Sequence, residues 1–303
     1  MDRLSLMETF IRVVETGSFS AAAKRLRVGQ PAVSKSVAQL EQRLGVRLLM
    51  RSTRGLTPTQ AGQNFYERAR RTVQEADEAD LAARGASEGL VGSLRASAAV
   101  TLARLHIVPR LPVFLAAHPN LSVDLILSDR QVDFIPEGVD IAFRAGELRD
   151  SALVARKIAT CRRLVLGAPS YFERAGIPAT PAELSRHTAV IYSEQGEGVG
   201  GGNWSLRQGE LEISVTLSGR LRTSAAEGVR AAVIGGMCLA IASEWMFAPE
   251  IASGAVRAVV TDWLLPVLDL WAVFPPSSRP SAKARTFAAF VEAEMRKPYS
   301  VQE

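Results

Sequence analysis

The sequence predicts an N-terminal all-α winged helix-turn-helix, a long linker helix, and then a C-terminal α/β domain. Apolar residues recur at helical spacing in three short segments before residue 45, and small residues follow a helical period over residues 65–83. After Gly92, segments typical of strands alternate with segments typical of helices, which favours a parallel sheet. We therefore expect domains over residues 1–62 and 92–303, with residues 63–91 as linker helix and hinge.

Charge is distributed unevenly along the 303 residues. Residues 1–72 hold 13 basic and 5 acidic side chains, a net charge of +8, whereas the remaining 231 residues carry a net charge of −3. A basic block on a near-neutral body is typical of a module that binds a polyanion, although charge alone leaves open a chance surface asymmetry. The apolar runs are too short to predict a membrane span, and the first ten residues lack a secretory signal. Two cysteines, Cys161 and Cys238, fit a reducing cytoplasm.

The first three helices have clear boundaries. A helix is expected over residues 5–16, where Gly17 ends it, and Ser18 is a suitable N-cap for a short second helix. Residues 27–29 form a tight connection in which Gly29 is expected to relieve the backbone, and Pro31 fits the first turn of a third helix. Two helices joined by so short a turn match a helix-turn-helix.

The third helix has two distinct faces. Val33, Val37, Leu40 and Leu44 follow steps of four, three and four and predict one buried stripe. A helix that enters the major groove needs short donors and acceptors on its other face, because bulky side chains would block the approach to base edges. The residues expected on that face, which any solvated helix face could also carry, are Gln30, Ser34, Lys35, Ala38 and Gln42.

A basic wing and a long helix are expected next. Residues 46–50 are β-prone, residues 51–55 suggest a turn, and a second strand would return at Leu56. Arg51 and Arg54 are candidates for phosphate or minor-groove contacts. The long helix is expected to begin with Thr57 as cap and Pro58 in its first turn, or with Thr59 as cap.

Small residues form a narrow seam along this helix. The seam favours a dimerisation helix, and the alternative is a helix lying on its own domain. Glycines at the end of the helix indicate a hinge. The seam comprises Phe65, Ala69, Thr72, Ala76, Ala79 and Ala83, and the hinge glycines are Gly85, Gly89 and Gly92.

The C-terminal domain alternates strands and helices. The glycine-rich segment 197–203 is expected to be a mobile loop, since it lacks the strand and helix that flank a dinucleotide-binding loop. Strands are expected over residues 94–98, 121–128, 139–143, 163–167, 189–192 and 237–242, and helices over 101–117, 225–235 and 281–297.

Several of these motifs together resemble the LysR-type transcriptional regulators. The matching segments are residues 16–23, the run Gln30-Pro31-Ala32-Val33-Ser34, residues 40–48, Arg51, Arg54 and Thr59-Gln60-Ala61-Gly62. A weaker resemblance continues to about residue 297 through segments 95–112, 128–130, 139–146 and 225–242. Three positions depart from the family pattern. Gly29 replaces a hydroxyl residue, Lys35 replaces a common arginine and thereby weakens bidentate guanine recognition, and Leu49 replaces a frequent phenylalanine.

The resemblance implies a periplasmic-binding-protein-like effector domain. Lobe one would comprise residues 92–160 and 268–297, lobe two residues 161–267, with a small-molecule effector between them. Members usually form tetramers, so a homodimer to homotetramer on double-stranded promoter DNA is expected, with RNA polymerase as a further candidate partner. No cofactor, metal or membrane is expected. The implied DNA-contacting residues are Ser18, Phe19, Gln30, Pro31, Ser34, Lys35, Ala38, Arg51 and Arg54.

The resemblance also implies an effector cleft. Thr101 and Ser224 would lie near helix N-termini, where backbone N–H groups favour anions, and Arg144 would clamp a carboxylate. A small anionic or polar effector is expected, unless Arg144 instead pairs with Asp129 or Glu147. The implied cleft residues are Ala98, Ala99, Val100, Thr101, Arg144, Ala145, Gly146, Tyr192, Ser193, Thr223, Ser224 and Ala225.

An enzyme, a redox switch and a domain that only assembles oligomers are the alternatives to an effector-sensing regulator. The sequence lacks a P-loop, a nucleophile elbow and paired metal ligands, and His106, His118 and His187 suit structural or surface roles, so an enzyme is not expected. A redox switch would need Cys161 and Cys238 within about 7 Å at Cα, and Cys238 lies in an apolar segment typical of a core. A C-terminal domain that only assembles oligomers remains open.

Overall fold

The structure is a computed structural model that describes residues 2–52, 55–84, 90–130, 134, 137–148, 153–192, 203–275 and 280–297. The chain divides into two compact units, Met1–Gly89 and Leu90–Glu303. The glycine-rich segment expected to be mobile lies outside the described residues, except for Asn203, which begins a strand.

The first unit comprises three helices, a two-stranded wing and a long helix. This arrangement confirms the predicted winged helix-turn-helix. The wing begins later than predicted, because Glu41 accepts hydrogen bonds from the backbone N of Leu48 (2.7 Å) and Leu49 (3.1 Å) and so holds the preceding segment outside the ladder. The elements are α1 (Arg3–Thr16), α2 (Phe19–Leu26), α3 (Gln30–Leu44), β1 (Leu49–Ser52), β2 (Gly55–Pro58) and α4 (Gln60–Arg84).

The long helix α4 begins at the second of the two predicted caps. Thr59 Oγ1 accepts a hydrogen bond from the backbone N of Gly62 at 2.9 Å, whereas Pro58 lies in β2 opposite Leu49. The interpretation with Thr57 as cap is therefore wrong, because the wing extends into the residues that it would need.

The seam divides along the helix. Phe65 and Ala69 pack against the core of the first unit, where the Phe65 ring lies edge-on to Phe10 with centroids 5.5 Å apart. Thr72 and Ala79 are exposed further along. The start of α4 therefore lies on its own domain, whereas dimerisation through its later turns stays a prediction.

A five-stranded mixed sheet forms the core of lobe one. Its order is β4-β3-β5-β14-β6, with β3 parallel to β4 and β5, and β14 antiparallel to β5 and β6. The expected strand at 139–143 is shifted to Ile141–Ala145, and just before it the backbone N of Asp140 donates to the carbonyl of Arg95 in the neighbouring strand. The strands are β3 (Gly92–Ala98), β4 (Leu121–Leu127), β5 (Ile141–Ala145), β6 (Val154–Cys161) and β14 (Leu268–Phe274).

The helical stretch after β3 is irregular, where one amphipathic helix was predicted. A short α5 (Val100–Leu102) leads into a π-helical turn over Ala103–Ile107, a 3₁₀ turn over Val108–Arg110, and α6 (Leu111–Ala117). Pro109 and Pro112 supply no backbone N–H, so they interrupt the regular bonding pattern. By length and composition Val100–Ala117 is apolar enough to cross a membrane, but several of its side chains pack into the core of lobe one.

Lobe two is built from smaller strand groups around two apolar clusters. An antiparallel sheet has the order β12-β7-β13, β8 pairs with β11 in parallel, and β9 with β10 forms a hairpin. The expected strand at 237–242 is shifted to Ala240–Ser243. The elements are β7 (Arg163–Gly167), α7 (Pro169–Ala175), β8 (Thr188–Tyr192), β9 (Asn203–Gln208), β10 (Leu211–Thr216), β11 (Ser218–Thr223), α8 (Ala226–Ile234), β12 (Ala240–Ser243), α9 (Ala248–Ser253) and β13 (Arg257–Val259).

The last helix, α10 (Ala282–Met295), returns to lobe one. Ser281 caps it by accepting a hydrogen bond from the backbone N of Ala284 at 3.2 Å. Phe287 is fully buried and contacts the rings of Phe143 and Phe114. These aromatic contacts tie the C-terminal helix to the sheet that carries the first half of the predicted cleft.

Candidate functional site

Helix α3 presents a polar face to solvent. Val33, Val37 and Leu40 are buried, so the predicted stripe does turn toward the core. Leu44 was expected in the same stripe, but 37% of it is exposed, because it is the last residue of the helix before left-handed Gly45. On the other face Gln30, Pro31, Lys35, Ala38 and Gln42 are exposed, and Ser34 is half-buried.

The turn before α3 differs from the prediction at one residue. Gly29 has an ordinary φ of −72°, so it does not relieve the backbone, and Arg27 carries the positive φ of 56° instead. A left-handed conformation costs a non-glycine residue roughly 1 kcal/mol. The backbone N of Arg27 and Val28 donate to carbonyls near the end of α2, and these bonds offset part of that cost.

The remaining candidates for DNA contact lie at the start of α2 and in the wing, and one of them is outside the described residues. Ser18 caps α2 by accepting from the backbone N of Ala21 at 3.4 Å, and the half-buried Phe19 packs against the small core beneath α3. Arg51 lies in β1, where its backbone alone is described, and Arg54 lies outside the described residues. The exposed basic residues of the three helices and the following turn include Lys24, Arg25, Arg27, Lys35, Arg43 and Arg47.

The predicted effector cleft draws on strand ends from both lobes. In lobe one, Ala98 ends β3 and Ala99 caps α5, while Arg144 and Ala145 end β5. Gly146 follows with a φ of +104°, and its carbonyl accepts a hydrogen bond from Trp271 Nε1 at 2.9 Å. These residues lie at the ends of neighbouring strands of one sheet.

Lobe two contributes the ends of β8 and β11. Tyr192 and Thr223 are register partners at these ends, and the exposed Ser224 and Ala225 then lead into α8. Thr223 Oγ1 accepts a hydrogen bond from the backbone N of Ala225 at 3.2 Å. Ser193 lies outside the described residues.

One of the predicted cleft residues of lobe one, Thr101, is hydrogen-bonded to lobe two. Thr101 Oγ1 in lobe one donates to Glu227 Oε1 in lobe two at 2.9 Å, and Asp129 Oδ1 accepts from the backbone N of Val100 at 3.0 Å. Arg144 Nη1 donates to the carbonyl of Arg130 at 2.9 Å. The start of α5 therefore lies next to the start of α8, and the effector cleft itself stays a prediction.

Sequence reasoning missed two groups at this meeting point, Glu227 and Arg104. Arg104 donates from Nε and Nη2 to Glu227 Oε1 at 3.0 and 2.9 Å. Burial acts to raise the pKa of Glu227, but hydrogen bonds from Arg104 and Thr101 outweigh it, so that pKa is lowered. The sequence did offer one signal for Glu227, since it is an acidic residue in the first turn of a predicted helix, where the helix dipole favours a negative charge.

A separate groove of about 370 Å³ lies away from the predicted cleft. It is bordered by His106, Trp245 and Ile251 together with Glu294 and Met295 near the end of α10. His106 Nε2 lies 2.9 Å from the carbonyl O of Trp245, and burial lowers the pKa of its imidazole. Across the described ranges, no cluster of three His, Cys, Asp or Glu side chains is arranged to hold a metal ion.

Known proteins resemble the chain over nearly its full length. Residues 4–63 match a family model described as bacterial regulatory helix-turn-helix protein, lysR family, and residues 87–296 match one described as LysR substrate binding domain. An HTH-type transcriptional regulator of Xanthomonas campestris pv. campestris (strain 8004) is 36% identical over 93% of this chain and 82% of its own length.

Solved structures share this architecture. The structure of CrgA, a LysR-type transcriptional regulator from Neisseria meningitidis, covers 97% of this chain and 99% of its own, with a TM-score of 0.62 and 29% identity. The full-length structure of the Vibrio cholerae virulence activator AphB covers 96% of this chain and 99% of its own, with a TM-score of 0.55 and 26% identity.

Proposed function

The chain belongs to the LysR family of bacterial transcriptional regulators, and from that premise we propose that it reads operator DNA with the outer face of α3 and responds to a small anionic or polar effector held between its two lobes. The family consists of regulators rather than enzymes, so the chain is a DNA-binding transcription regulator with an effector-binding domain.

The orientation of α3 carries the DNA-binding part of the proposal. Its apolar stripe lies against the core, and the polar groups of Gln30 and Lys35 face solvent, with the half-buried Ser34 between them. Short donors and acceptors on an unobstructed helix face are the groups that read base edges in the major groove. The surrounding basic side chains supply phosphate contacts that position the helix without reading sequence.

Two substitutions in α3 and one in the wing test whether α3 contacts the bases, with duplexes that the protein selects from its own genome. Lys35→Ala and Ser34→Ala should each lower the preference for selected over random duplex by roughly tenfold, the value of one base contact. Arg54→Ala should weaken selected and random duplexes by similar factors, because a phosphate contact carries no sequence information. Competition titrations at one salt concentration measure both quantities, and unchanged preference in both α3 variants would refute the assignment of the reading face.

The effector part of the proposal is supported by polar groups at the strand ends. The Thr101 hydroxyl, the guanidinium of Arg144 and the backbone around Ala225 lie on the elements that border the cleft. A guanidinium is well suited to hold a carboxylate in two hydrogen bonds. Calorimetry of the full-length protein with a panel of organic acids should find a ligand whose affinity falls at least tenfold in Arg144→Ala, and an unchanged affinity would defeat the clamp.

Assembly and location complete the proposal. The later turns of α4 leave Thr72 and Ala79 exposed, and small residues on one helix face permit close packing against a second copy. A homodimer or homotetramer formed in this way would place two winged heads on one operator. Action in the cytoplasm, with RNA polymerase as a contact, belongs to the same proposal.

A further inference from the structure

Two carboxylates, one from each lobe, accept hydrogen bonds from the other lobe. Asp129 follows β4 in lobe one, and its Oδ2 accepts a hydrogen bond from the backbone N of Ala226, the first residue of α8 in lobe two, at 3.1 Å. Its other oxygen accepts from the backbone N of Val100 in its own lobe at 3.0 Å. A single side chain therefore holds backbone donors from both sides of the cleft.

Glu227 makes the reverse connection. It lies in the first turn of α8 and accepts hydrogen bonds from Thr101 and Arg104, both of lobe one, at distances between 2.9 and 3.0 Å. Because Thr101 is only 4% exposed, its buried hydroxyl uses the Glu227 carboxylate as hydrogen-bond acceptor. Hydrogen bonds that involve a charged group are worth more than neutral ones.

A buried arginine fixes Glu227 from behind. Arg230 is 5% exposed, and its Nε lies 3.4 Å from Glu227 Oε2. The same guanidinium donates to Glu250 Oε2 at 3.0 Å and to the carbonyl of Met246, and it lies 5.4 Å from the centre of the Phe247 ring. Glu227 therefore has an ion-pair partner in lobe two in addition to its hydrogen-bond partners in lobe one.

We infer that Asp129 and Glu227 form an interlobe latch that holds the effector domain closed in the absence of effector. Separating the lobes removes the acceptors of the Ala226 amide and the Thr101 hydroxyl at once, so water must replace both. The inference rests on the proposed function in one respect. Val100 and Thr101 belong to the proposed effector cleft, so an effector gains access to them when the latch releases.

The distance between the lobes tests the latch without any effector. Full-length protein would carry Ser122→Cys and Glu173→Cys, one exposed position in each lobe, as attachment sites for a pair of spin labels. The native cysteines are buried and leave the two engineered thiols as the reactive ones. Asp129→Asn and Glu227→Gln keep side-chain size, but an amide has one acceptor oxygen and its NH₂ opposes the facing donor.

Asp124→Asn is the matched control, because Asp124 lies on β4 and its ion pair with Arg95 (3.0 Å) stays within lobe one. The latch predicts that both Asp129→Asn and Glu227→Gln shift the distance distribution to longer values and broaden it, while Asp124→Asn matches the unsubstituted protein. Unchanged distance distributions in every latch variant that retains the native circular dichroism spectrum would overturn the latch. If neither amide variant folds, Glu227→Asp makes the same test with the charge kept. Failure of DNA or effector binding would leave this readout unaffected, so the two proposals fail separately.

Discussion

Cys161 and Cys238 are both buried, with exposed fractions of 7% and 0%. Burial raises the pKa of the Cys161 thiol to about 11, with smaller opposing contributions from the backbone near Trp245, and burial also raises the pKa of Cys238. Both thiols are therefore protonated at neutral pH, and the thiol is a much weaker nucleophile than the thiolate. These environments argue against the redox alternative.

Alkylation of the native protein checks this argument. At pH 8, iodoacetamide should modify neither Cys161 nor Cys238 on the timescale in which it fully modifies a free thiol, and both should react in urea. Intact mass spectrometry counts the adducts. Rapid labelling of the folded protein, or a mass change on brief exposure to dilute peroxide, would restore the redox interpretation.

At the residue scale, sequence reasoning found side chains whose role depends on local spacing. It identified the buried Val33 and Leu40 and the Ser18 cap, because each depends on neighbours within one or two helical turns. It did not find the contact of Glu227 with Thr101, which joins residues 126 positions apart. Spacing along a chain carries no information on such a pair until the topology is known.

Among the elements, the junction between the wing and α4 depends on a glycine. A Cβ at Gly62 would lie 1.9 Å from the backbone O of Leu48, which is fully buried and cannot move aside cheaply. Close approach of backbone to backbone, rather than an unusual φ, is the reason for glycine here. The junction fixes where the wing lies relative to the first turn of α4.

Gly62→Ala should therefore destabilise the N-terminal unit by about 2 kcal/mol or more, the usual cost of overpacking. Gly29→Ala is the matched control, because its added Cβ would meet only Pro31 Cδ at 3.6 Å, an ordinary contact. Urea unfolding followed by circular dichroism measures both. Equal midpoints for the two variants would show that the junction tolerates a methyl group.

Element types were predicted best where one period dominates. Helices α1, α2 and α3 have clear stripes and caps, and their boundaries agree with the structure to within two residues. The apolar period of Val100–Ala117 continues through Pro109 and Pro112 and therefore predicts one helix. A period of apolar residues does not show that the two prolines lack the backbone N–H that a regular helix needs. Strands β6, β9, β10, β11, β13 and β14 were not predicted individually, since their pairing is set by distant partners.

For the whole molecule, the separation of charge follows the separation of roles. The net charge of +8 lies within residues 1–72, and the rest of the chain is close to neutral. A concentrated positive field draws the winged head to a polyanion, whereas a near-neutral effector domain exerts no such field, and the proposed Arg144 clamp would act locally there. The proposed interlobe latch would act in this second part.

The salt dependence of the affinity for duplex DNA tests whether the basic N-terminal unit binds DNA. We expect the full-length protein to bind duplex DNA at low ionic strength. We also expect log K to fall linearly with log salt concentration at a slope of about −0.9 for each phosphate neutralised, with several phosphates involved. Fluorescence anisotropy over a series of salt concentrations measures this slope. Absence of binding at low ionic strength, or an affinity independent of salt, would show that these basic side chains do not contact DNA phosphates.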